Sequence, residues 1–402
     1  MPDTADVVVV GGGVVGTSVA FHLCSRRAGR VVLCERRFLA AGATGKSGAL
    51  VRMHYTNEPE ARLAAASLPY FQHWSDLVGP GSSGFVNTGM LRFVATAHEG
   101  KLRANVAMLR RLGINTTVMG SDNVRAIVPS WRTDDIVAAA YEPDSGMADP
   151  IATTHGFASR AAALGADVRL GTDVRALRVA KGRIEAVETS AGSIAAPAVV
   201  VAGGAWAMPL LRQVGAAGDL TTVRTQVTLF RRPPEHAALH PICIDGANDL
   251  WLRPEGPGWG STLVGISTRQ ELPDPDALDE GVDGDYVVRA KERLARRMPG
   301  IGGAPMRGGW AGAITITPDG KQVIDRHPEI EGLWICTGDN GSGFKTAPAL
   351  GAALAEWMTA GAPRTVPLRP FRATRFKEGD LLIGENEYGD RLNEPGRGVM
   401  LG

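Results

Sequence analysis

The stretch of residues 6–35 limits the fold of this chain most strongly. It opens with four consecutive valines, Val7 to Val10, and an apolar run of that length bounded by glycine is typical of a strand buried on both faces. Glycines follow in the spacing GxGxxG: Gly11, Gly13 and Gly16. Apolar residues then recur at four-residue intervals, as on one side of a helix: Val15, Val19 and Leu23. A second apolar run over 31–34 completes a predicted unit of strand, tight turn, helix and strand.

This unit suits a dinucleotide. The first glycine permits the sharp turn, the second lets backbone amides approach a pyrophosphate, and the third lets the helix pack closely on the strand. The helix N-terminus would direct its N–H groups and partial positive charge at the phosphates. Glu35, at the end of the second strand, can accept hydrogen bonds from an adenosine ribose. In a chain with 51 glycines the motif alone is weak, and an ordinary packed turn is the alternative; the surrounding strands, helix and acid favour the dinucleotide site.

Length and charge narrow the class of protein further. A chain of 402 residues suits two domains. The net charge of +1, with both signs interspersed, predicts no nucleic-acid or anionic-membrane partner and favours a small molecule. Residues 7–24 carry no charge, but glycines interrupt them and no basic leader precedes them, so we expect a cytoplasmic protein without a membrane span.

The four cysteines are spread along the chain, with no C-x-x-C pair and no histidine at ligand spacing: Cys24, Cys34, Cys243 and Cys336. We interpret them as small buried hydrophobic residues rather than disulfides or zinc ligands, and we predict no metal site. Redox chemistry would therefore need another carrier.

A loop rich in small residues, 40–55, follows the ribose acid. Such a loop can run beside the middle of a dinucleotide and offer hydroxyls and amides to ribityl or phosphate oxygens. The residues that would do so are Thr44, Gly45, Ser47 and Gly48. A flexible surface loop is the alternative.

Several of these features together resemble the D-amino-acid oxidase superfamily of FAD enzymes. They are the glycine turn, the pair Glu35-Arg36, the loop GATGKSGALVRMHY and the closing PFRATRF over 370–376. The resemblance is strongest to the branch of sarcosine oxidases, glycine oxidase and flavin subunits of related amino-acid dehydrogenases, and it extends from Asp6 to about Phe376. It implies an α/β fold: a Rossmann-like FAD-binding domain with an inserted α+β substrate domain built on a mixed antiparallel sheet.

We expect the FAD-binding domain to be discontinuous, over 1–84, 145–215 and 325–376, and the substrate domain to comprise 85–144 and 216–324. Residues 377–402 form a polar tail that is either disordered or covers a partner. Local patterns predict a hairpin over 85–95, a strand pair over 167–170 and 174–179, and an acidic surface loop over 272–285 whose charges are solvated rather than metal-binding.

A second glycine-rich helix start lies near the end of the chain. A strand over 333–336 leads through glycines to a helix that begins near Phe344. In the family this helix points at the flavin pyrimidine, where its positive end stabilises reduced flavin. Two such starts in one chain imply one long cofactor between them, which favours FAD over NAD. The predicted cofactor residues are Gly11, Gly13, Val15, Gly16, Glu35, Arg36, Thr44, Gly45, Ser47, Gly48, Leu50, Val174, Ala202, Gly203, Trp206, Gly338, Gly341, Ser342, Gly343, Phe344 and Lys345.

The resemblance also suggests the substrate residues. Arg52 and Lys345 match the positions that bind the substrate carboxylate in sarcosine-oxidising relatives, and a guanidinium fork with an added lysine charge suits a carboxylate. Tyr55 keeps the family spacing and would line the pocket. His54 is either a pH-sensitive pocket residue or a hydrogen-bonded structural histidine.

The predicted reaction is hydride transfer from the carbon beside an amine to flavin N5, giving an imine that water hydrolyses. No residue stands out as a general base. Some relatives tether flavin through a cysteine, but the matching residues 309–319 contain none. Other relatives use a histidine where this chain has Lys46. We therefore predict non-covalent FAD. Leu263 stands where sarcosine oxidases have their oxygen-activating lysine, which leaves O2 and another electron acceptor both open. The alternatives are a flavin subunit of a multi-subunit dehydrogenase, with partner subunits, and a flavin tailoring enzyme of a biosynthetic pathway.

Overall fold

Six strands from three separate stretches of the chain form one mostly parallel sheet. The computed structural model describes residues 3–255, 260–268 and 270–388. In order across the sheet, the strands are Asp167–Leu170, Val31–Glu35, Val7–Val10, Ala198–Val201, Leu333–Thr337 and Val323–Arg326. The first five run parallel and the last is antiparallel to its neighbour. The predicted central valine strand and the predicted 31–34 strand are both confirmed.

The sheet is covered on both faces, which explains its unbroken apolar strands. Val7 and Val9 face one apolar cluster, together with the helix Val14–Ser25. Val8 and Val10 face the other cluster, together with the helix Ala207–Gln213. The helix Val14–Ser25 packs on Pro150–Ala163 and on the long helix Gly343–Ala360. We call Val14–Ser25 the first helix and Gly343–Ala360 the last long helix.

A second large sheet, of nine strands, lies in the predicted substrate region. Its strands are Gln270–Glu271, Thr221–Arg231, Ser261–Ile266, Leu250–Glu255, Ile242–Asp245, Met90–Phe93, Ala139–Glu142 and Thr117–Met119, with Met306–Ile316 paired to Thr221–Arg231. Only Ile242–Asp245 and Met90–Phe93 pair in parallel, so the sheet is mixed and mainly antiparallel, as predicted. The helix Gly284–Arg297 packs on it through Tyr286 and Leu294.

Smaller elements complete the described chain. A four-stranded sheet contains Asp3–Thr4, Gly192–Ala195, Arg183–Thr189 and Val174–Ala180, and a three-stranded sheet contains Leu50–Val51, Gly146–Met147 and Val86–Asn87. The remaining α-helices are Glu58–Gln72, Trp74–Leu77, Glu99–Arg111, Ser121–Ile127 and Arg375–Glu378. In the part of the chain that the structure describes, no helix is long and apolar enough to cross a bilayer.

Two local predictions were wrong. The 85–95 hairpin does not form, because Val86–Asn87 pairs with Gly146–Met147 whereas Met90–Phe93 pairs with strands of the nine-stranded sheet. Similarly, Asp167–Leu170 and the strand that starts at Val174 belong to different sheets. The turn between these strands is attached to the end of the strand Val31–Glu35, because the Thr172 amide donates to the Glu35 carbonyl at 2.9 Å. Both runs have strand character, but distant partners decide their pairing.

The start of the C-terminal tail packs on the fold. Gly384 lies against the backbone of Thr56, so closely that a Cβ there would stand 2.1 Å from the Thr56 carbonyl oxygen. Tyr388 is buried. Residues 377–388 are therefore an ordered part of the protein, and residues 389–402 of the predicted tail lie outside the described residues. The predicted domain boundaries stay a prediction.

Candidate cofactor and substrate site

One long cleft runs past the carboxyl ends of the parallel strands to the nine-stranded sheet. Its volume is about 1630 Å³, including the part open to solvent. Gly13, which caps the first helix, and Val15 in its first turn line the cleft, and so do Gly343 and Phe344 at the start of the last long helix. The two glycine-rich helix starts therefore face the same cavity, as the sequence predicted. A cavity of this size and length suits a dinucleotide.

Two of the motif glycines are required by the fold. Gly11 has a φ of +113°, and a Cβ on it would lie 2.6 Å from the Ala202 carbonyl oxygen. A Cβ on Gly16 would lie 2.0 Å from the carbonyl oxygen of Gly11. Gly13 differs, because its added Cβ would meet only Thr44 Oγ1, at 3.1 Å. Gly13 thus keeps the cleft wall open.

Glu35, the acid predicted to bind a ribose, is held in place by backbone amides. Glu35 accepts hydrogen bonds from the amides of Gly12 at 2.7 Å and Arg37 at 2.8 Å. The first helix has no side-chain cap and no acid in its first turn. Apart from the Val14 amide, which donates to Thr44 Oγ1 at 3.2 Å, its first-turn amides are available to an anion in the cleft. This uncapped helix start beside an oriented carboxylate is the arrangement that an adenosine diphosphate moiety requires.

The opposite end of the cleft is formed by the nine-stranded sheet and the last long helix. Trp251, Trp310 and Val227 line it from the sheet. Asp339 lines it beside the helix start, and it is half-buried. Burial raises the pKa of the Asp339 carboxyl to about 6, although the nearby Lys345 opposes this. Sequence reasoning missed Asp339 and both tryptophans, because no motif marks them.

Most of the predicted cofactor residues belong to the cleft wall. Those that line it are Gly11, Gly13, Val15, Glu35, Arg36, Thr44, Ser47, Gly48, Val174, Ala202, Gly203, Trp206, Gly341, Gly343 and Phe344. Those that the structure places behind the wall are Gly16, Gly45, Leu50, Gly338, Ser342 and Lys345. Three of them have structural contacts: Gly45 contacts the Ala40 carbonyl, Leu50 packs in an apolar cluster with Trp251, and Gly338 packs on Thr317.

The predicted substrate residues form a buried cationic cluster behind Phe344. Arg52 and Lys345 are each 1% exposed, and Tyr55 is 4% exposed. The Arg52 Cζ atom lies 4.7 Å and the Lys345 Nζ atom 6.0 Å from the centre of the Tyr55 ring. Tyr55 and Phe344 belong to one apolar cluster, so the cationic cluster adjoins the cleft.

The Arg52 guanidinium is only partly hydrogen-bonded within the described residues. Arg52 donates to the His54 carbonyl through Nη1, but its Nε and Nη2 atoms have no hydrogen-bond partner among the described residues. Burial, and then repulsion from Arg52, holds the pKa of Lys345 far below its ordinary value. Glu142 binds the amide of Met53 at 3.0 Å instead of pairing with the guanidinium. The buried Arg52 guanidinium, with two nitrogen donors that have no partner among the described residues, suits an incoming carboxylate.

His54 points to a different partner. Its Nε2 atom lies 2.7 Å from the Tyr388 hydroxyl, and the two rings are stacked with centroids 6.0 Å apart. Burial lowers the pKa of His54 well below its ordinary value, so the imidazole is neutral. These contacts favour the hydrogen-bonded structural histidine over the pH-sensitive pocket residue.

The cysteines are all buried free thiols. Cys34 and Cys336 line the cleft, but burial raises the pKa of their thiols to about 11 and about 12. They are therefore protonated and unreactive at neutral pH. Within residues 3–255, 260–268 and 270–388, no group of three or more His, Cys, Asp or Glu could hold a metal ion.

A mostly parallel sheet, one cleft with a helix start at each end and an oriented carboxylate at Glu35 are the features of an α/β dinucleotide-binding protein. Residues 6–357 match the DAO family model, described as FAD dependent oxidoreductase, and the chain belongs to this family. FAD is therefore its cofactor, and the uncapped helix starts and amide-held Glu35 fit that group.

Individual relatives agree with this assignment. Mitochondrial sarcosine dehydrogenase of Mus musculus is 26% identical over 373 residues, which cover 90% of this chain and 40% of that protein. Glycine oxidase of Geobacillus kaustophilus is 25% identical, over 92% of this chain and 97% of that protein. The crystal structure of L-proline dehydrogenase from P. horikoshii superimposes with a TM-score of 0.86 at 26% identity, covering 95% of this chain and all of that one. The chain thus spans about two fifths of the length of the sarcosine dehydrogenases.

Proposed function

We propose that the protein oxidises the C–N bond of an amino acid or an N-substituted amino acid to an imine. Bound FAD supplies the hydride acceptor, flavin N5. The observation that carries the proposal is the buried Arg52 guanidinium beside the cofactor cleft, two of whose nitrogen atoms have no partner among the described residues. Sarcosine dehydrogenase, glycine oxidase and L-proline dehydrogenase, named for amino-acid substrates, support it.

The roles of the substrate residues follow from their contacts. The free edge of Arg52 would bind the substrate carboxylate through two parallel hydrogen bonds, and the bound carboxylate would favour the protonated form of Lys345, which would then add a second positive charge. The Tyr55 ring holds both cations at one side and limits their movement. Holding the carboxylate in one position would direct the neighbouring carbon toward the cleft, so catalysis would rest mainly on positioning.

The cofactor residues would act on separate parts of FAD. Glu35 would bind the adenosine ribose, and the amides of Gly13 and Val15 would bind the phosphates. The start of the last long helix would place its positive end near the flavin pyrimidine. We infer that FAD is not covalently attached, because residues 309–319 contain no cysteine and Lys46 pairs with Glu280 at 3.0 Å. Yellow colour retained by acid-precipitated protein would contradict this inference.

Anaerobic bleaching of the bound flavin tests the proposed reaction. Glycine, sarcosine, proline and both series of chiral amino acids would be added in turn to purified holoenzyme, and the flavin absorbance would be recorded. We expect at least one of them to bleach the flavin. Holoenzyme that no amine reduces but NADPH does would contradict the proposal and favour a tailoring flavoenzyme.

A second candidate function is a dehydrogenase that passes electrons to an acceptor other than O2. It could act alone or as the flavin subunit of a larger complex, and one residue, Leu263, supports it. Leu263 is fully buried in an apolar cluster with Trp251, where sarcosine oxidases place a lysine. Faster reoxidation of the bleached flavin by a dye than by air would support this candidate. A cytoplasmic location stays a proposal, supported by the four free cysteines.

A further inference from the structure

Residues 272–283, the part of the predicted acidic loop that precedes the helix Gly284–Arg297, cross between the two large sheets, and we call them the acidic loop from here on. The acidic loop connects the strand Gln270–Glu271 to the helix Gly284–Arg297. Its base is fixed by Arg224, whose side chain is 4% exposed and which donates to the carbonyls of Asp279 at 2.9 Å and Gly281 at 2.6 Å. Arg224 also forms an ion pair with Asp283 at 2.9 Å. One end of the acidic loop is therefore anchored to the nine-stranded sheet.

The tip of the acidic loop reaches the cofactor cleft. Asp276 forms two hydrogen bonds with the Arg36 guanidinium, at 2.5 and 3.3 Å, and accepts a third from Trp206 Nε1 at 2.7 Å. The Arg36 guanidinium lies 4.8 Å from the centre of the Trp206 ring. Arg36 and Trp206 both line the cleft, and Arg36 directly follows the ribose acid Glu35.

A second acid repeats this arrangement on the other side of the cleft wall. Glu280 pairs with Lys46 at 3.0 Å, and its carbonyl accepts the amide of Ala311 at 2.9 Å. Lys46 lines the cleft at the end of the short helix Ala43–Lys46. Two acids of one loop thus pair with two cations of the cleft wall, and Lys46 also donates to the Ala41 carbonyl at 3.0 Å.

Apolar contacts lie beneath the tip of the acidic loop. Leu272 packs with Ala205 and Ala313, and Leu278 and Trp206 pack against the same cluster. In contrast, the side chains of Asp276 and Glu280 are 60% and 53% exposed. Exposed ion pairs are individually weak and are screened by salt. The loop therefore has a firm base and a tip whose polar contacts can open.

We propose that the acidic loop is a clasp that retains FAD, with Asp276 and Glu280 as positioning residues that hold Arg36 and Lys46 in the cleft wall. FAD leaves when the two ion pairs open together, because the cations and Trp206 then move away from the cofactor. The proposal rests on FAD binding and is independent of the substrate that the enzyme oxidises. It differs from the sequence-based expectation that these charges are only solvated.

The test is the rate at which holoenzyme releases FAD after dilution, followed by the rise of flavin fluorescence. In the double variant Asp276→Asn/Glu280→Gln we expect release to accelerate roughly three- to tenfold, the effect of losing two exposed ion pairs and a charged hydrogen bond. Raising NaCl from about 0.05 M to about 0.5 M should accelerate release in the wild type and have less effect in the double variant.

Asp285→Asn is the matched control. Asp285 follows the acidic loop and forms an exposed ion pair with Arg289 at 3.2 Å, away from the cleft-lining cations. It should leave the release rate unchanged. The melting temperature of the apoprotein should differ little among the three proteins, because exposed ion pairs contribute little to the free energy of unfolding.

Release at the wild-type rate, or more slowly, would overturn the proposal. Slower release would mean that Asp276 competes with FAD phosphates for Arg36 instead of holding it in place. If the double variant cannot be loaded with FAD, the release rate is measured in Trp206→Phe instead. This variant removes one Asp276 contact and keeps an aromatic ring. Faster release from Trp206→Phe supports the clasp, and an unchanged rate contradicts it.

Discussion

The Arg52 guanidinium lies 4.7 Å from the centre of the Tyr55 ring, and both side chains are almost completely buried. The ring covers one face of the guanidinium, which keeps the planar fork in one orientation. Two of the three guanidinium nitrogens have no partner among the described residues. A buried arginine held in this way is prepared for a ligand, because unpaired buried donors are costly until an acceptor arrives.

Arg52→Lys should weaken substrate binding roughly 10- to 100-fold, since it keeps the charge but loses a charge-assisted hydrogen bond worth about 1.5–3 kcal/mol. The dissociation constant from anaerobic flavin bleaching measures this, and bleaching at saturating substrate should remain complete. Arg103→Lys, on an exposed helix pair with Glu99, is the control. Equal affinities for Arg52→Lys and the control would contradict the assigned role.

Lys345 should make carboxylate binding depend on pH. Its pKa is depressed by burial and by Arg52, so the charged form exists below the depressed pKa and is lost as pH rises through it. Acetate, which has no amine to titrate, should bind more weakly as pH rises in the wild type, as measured by the shift of the flavin spectrum. Lys345→Met should bind acetate weakly with a flat pH profile. A wild-type slope that persists in the variant would assign the titration to another group.

Gly13→Ala and Gly16→Ala should separate cofactor binding from folding. The Gly13 methyl would project beside Thr44 into the cleft, so FAD affinity should fall about tenfold or more while apoprotein stability is kept. The Gly16 methyl would overlap the Gly11 carbonyl oxygen, which should cost about 2 kcal/mol or more of unfolding free energy. Thermal melts of apoprotein and FAD titration measure the two effects. A destabilised Gly13→Ala apoprotein would contradict this division of roles.

Asp339 should influence the flavin potential through its charge. Its carboxyl has a pKa of about 6, so it is mainly ionised at pH 8 and mainly protonated at pH 5. An ionised carboxylate disfavours the negative charge of reduced flavin. Asp339→Asn should therefore raise the midpoint potential at pH 8, on the order of 30 mV for an interaction of about 1.4 kcal/mol in this two-electron couple.

The same Asp339→Asn substitution should change the potential little at pH 5, where the native carboxyl is already neutral. Potentiometric titration measures the midpoint potential of each protein at both pH values, so the value at pH 5 serves as the control for the value at pH 8. An equal shift at the two pH values would show that the effect is steric and that the charge of Asp339 is not involved.

The sequence alone determined the local units that line the cleft. The valine run, the GxGxxG turn, the first helix and the glycines before the last long helix all lie where their patterns predicted. Their conformations depend on neighbouring residues: glycine at Gly11 permits a positive φ, and apolar spacing orients the helix faces. The substrate pair Arg52 and Lys345 was predicted only through the family resemblance, because neither residue has a local signature.

The tertiary structure alone decided which distant parts meet. It paired Val86–Asn87 and Met90–Phe93 with different sheets, and it brought Asp276 to Arg36 across 240 residues of chain. It also placed Trp251, Trp310 and Asp339 together in the cleft. Strand periodicity specifies which face of a strand is buried but not which strand is its neighbour. The sequence around an exposed acid likewise does not indicate which cation it pairs with. Neighbouring strands and ion-pair partners are decided by the packing of the whole chain, and local residue patterns hold no information about that packing.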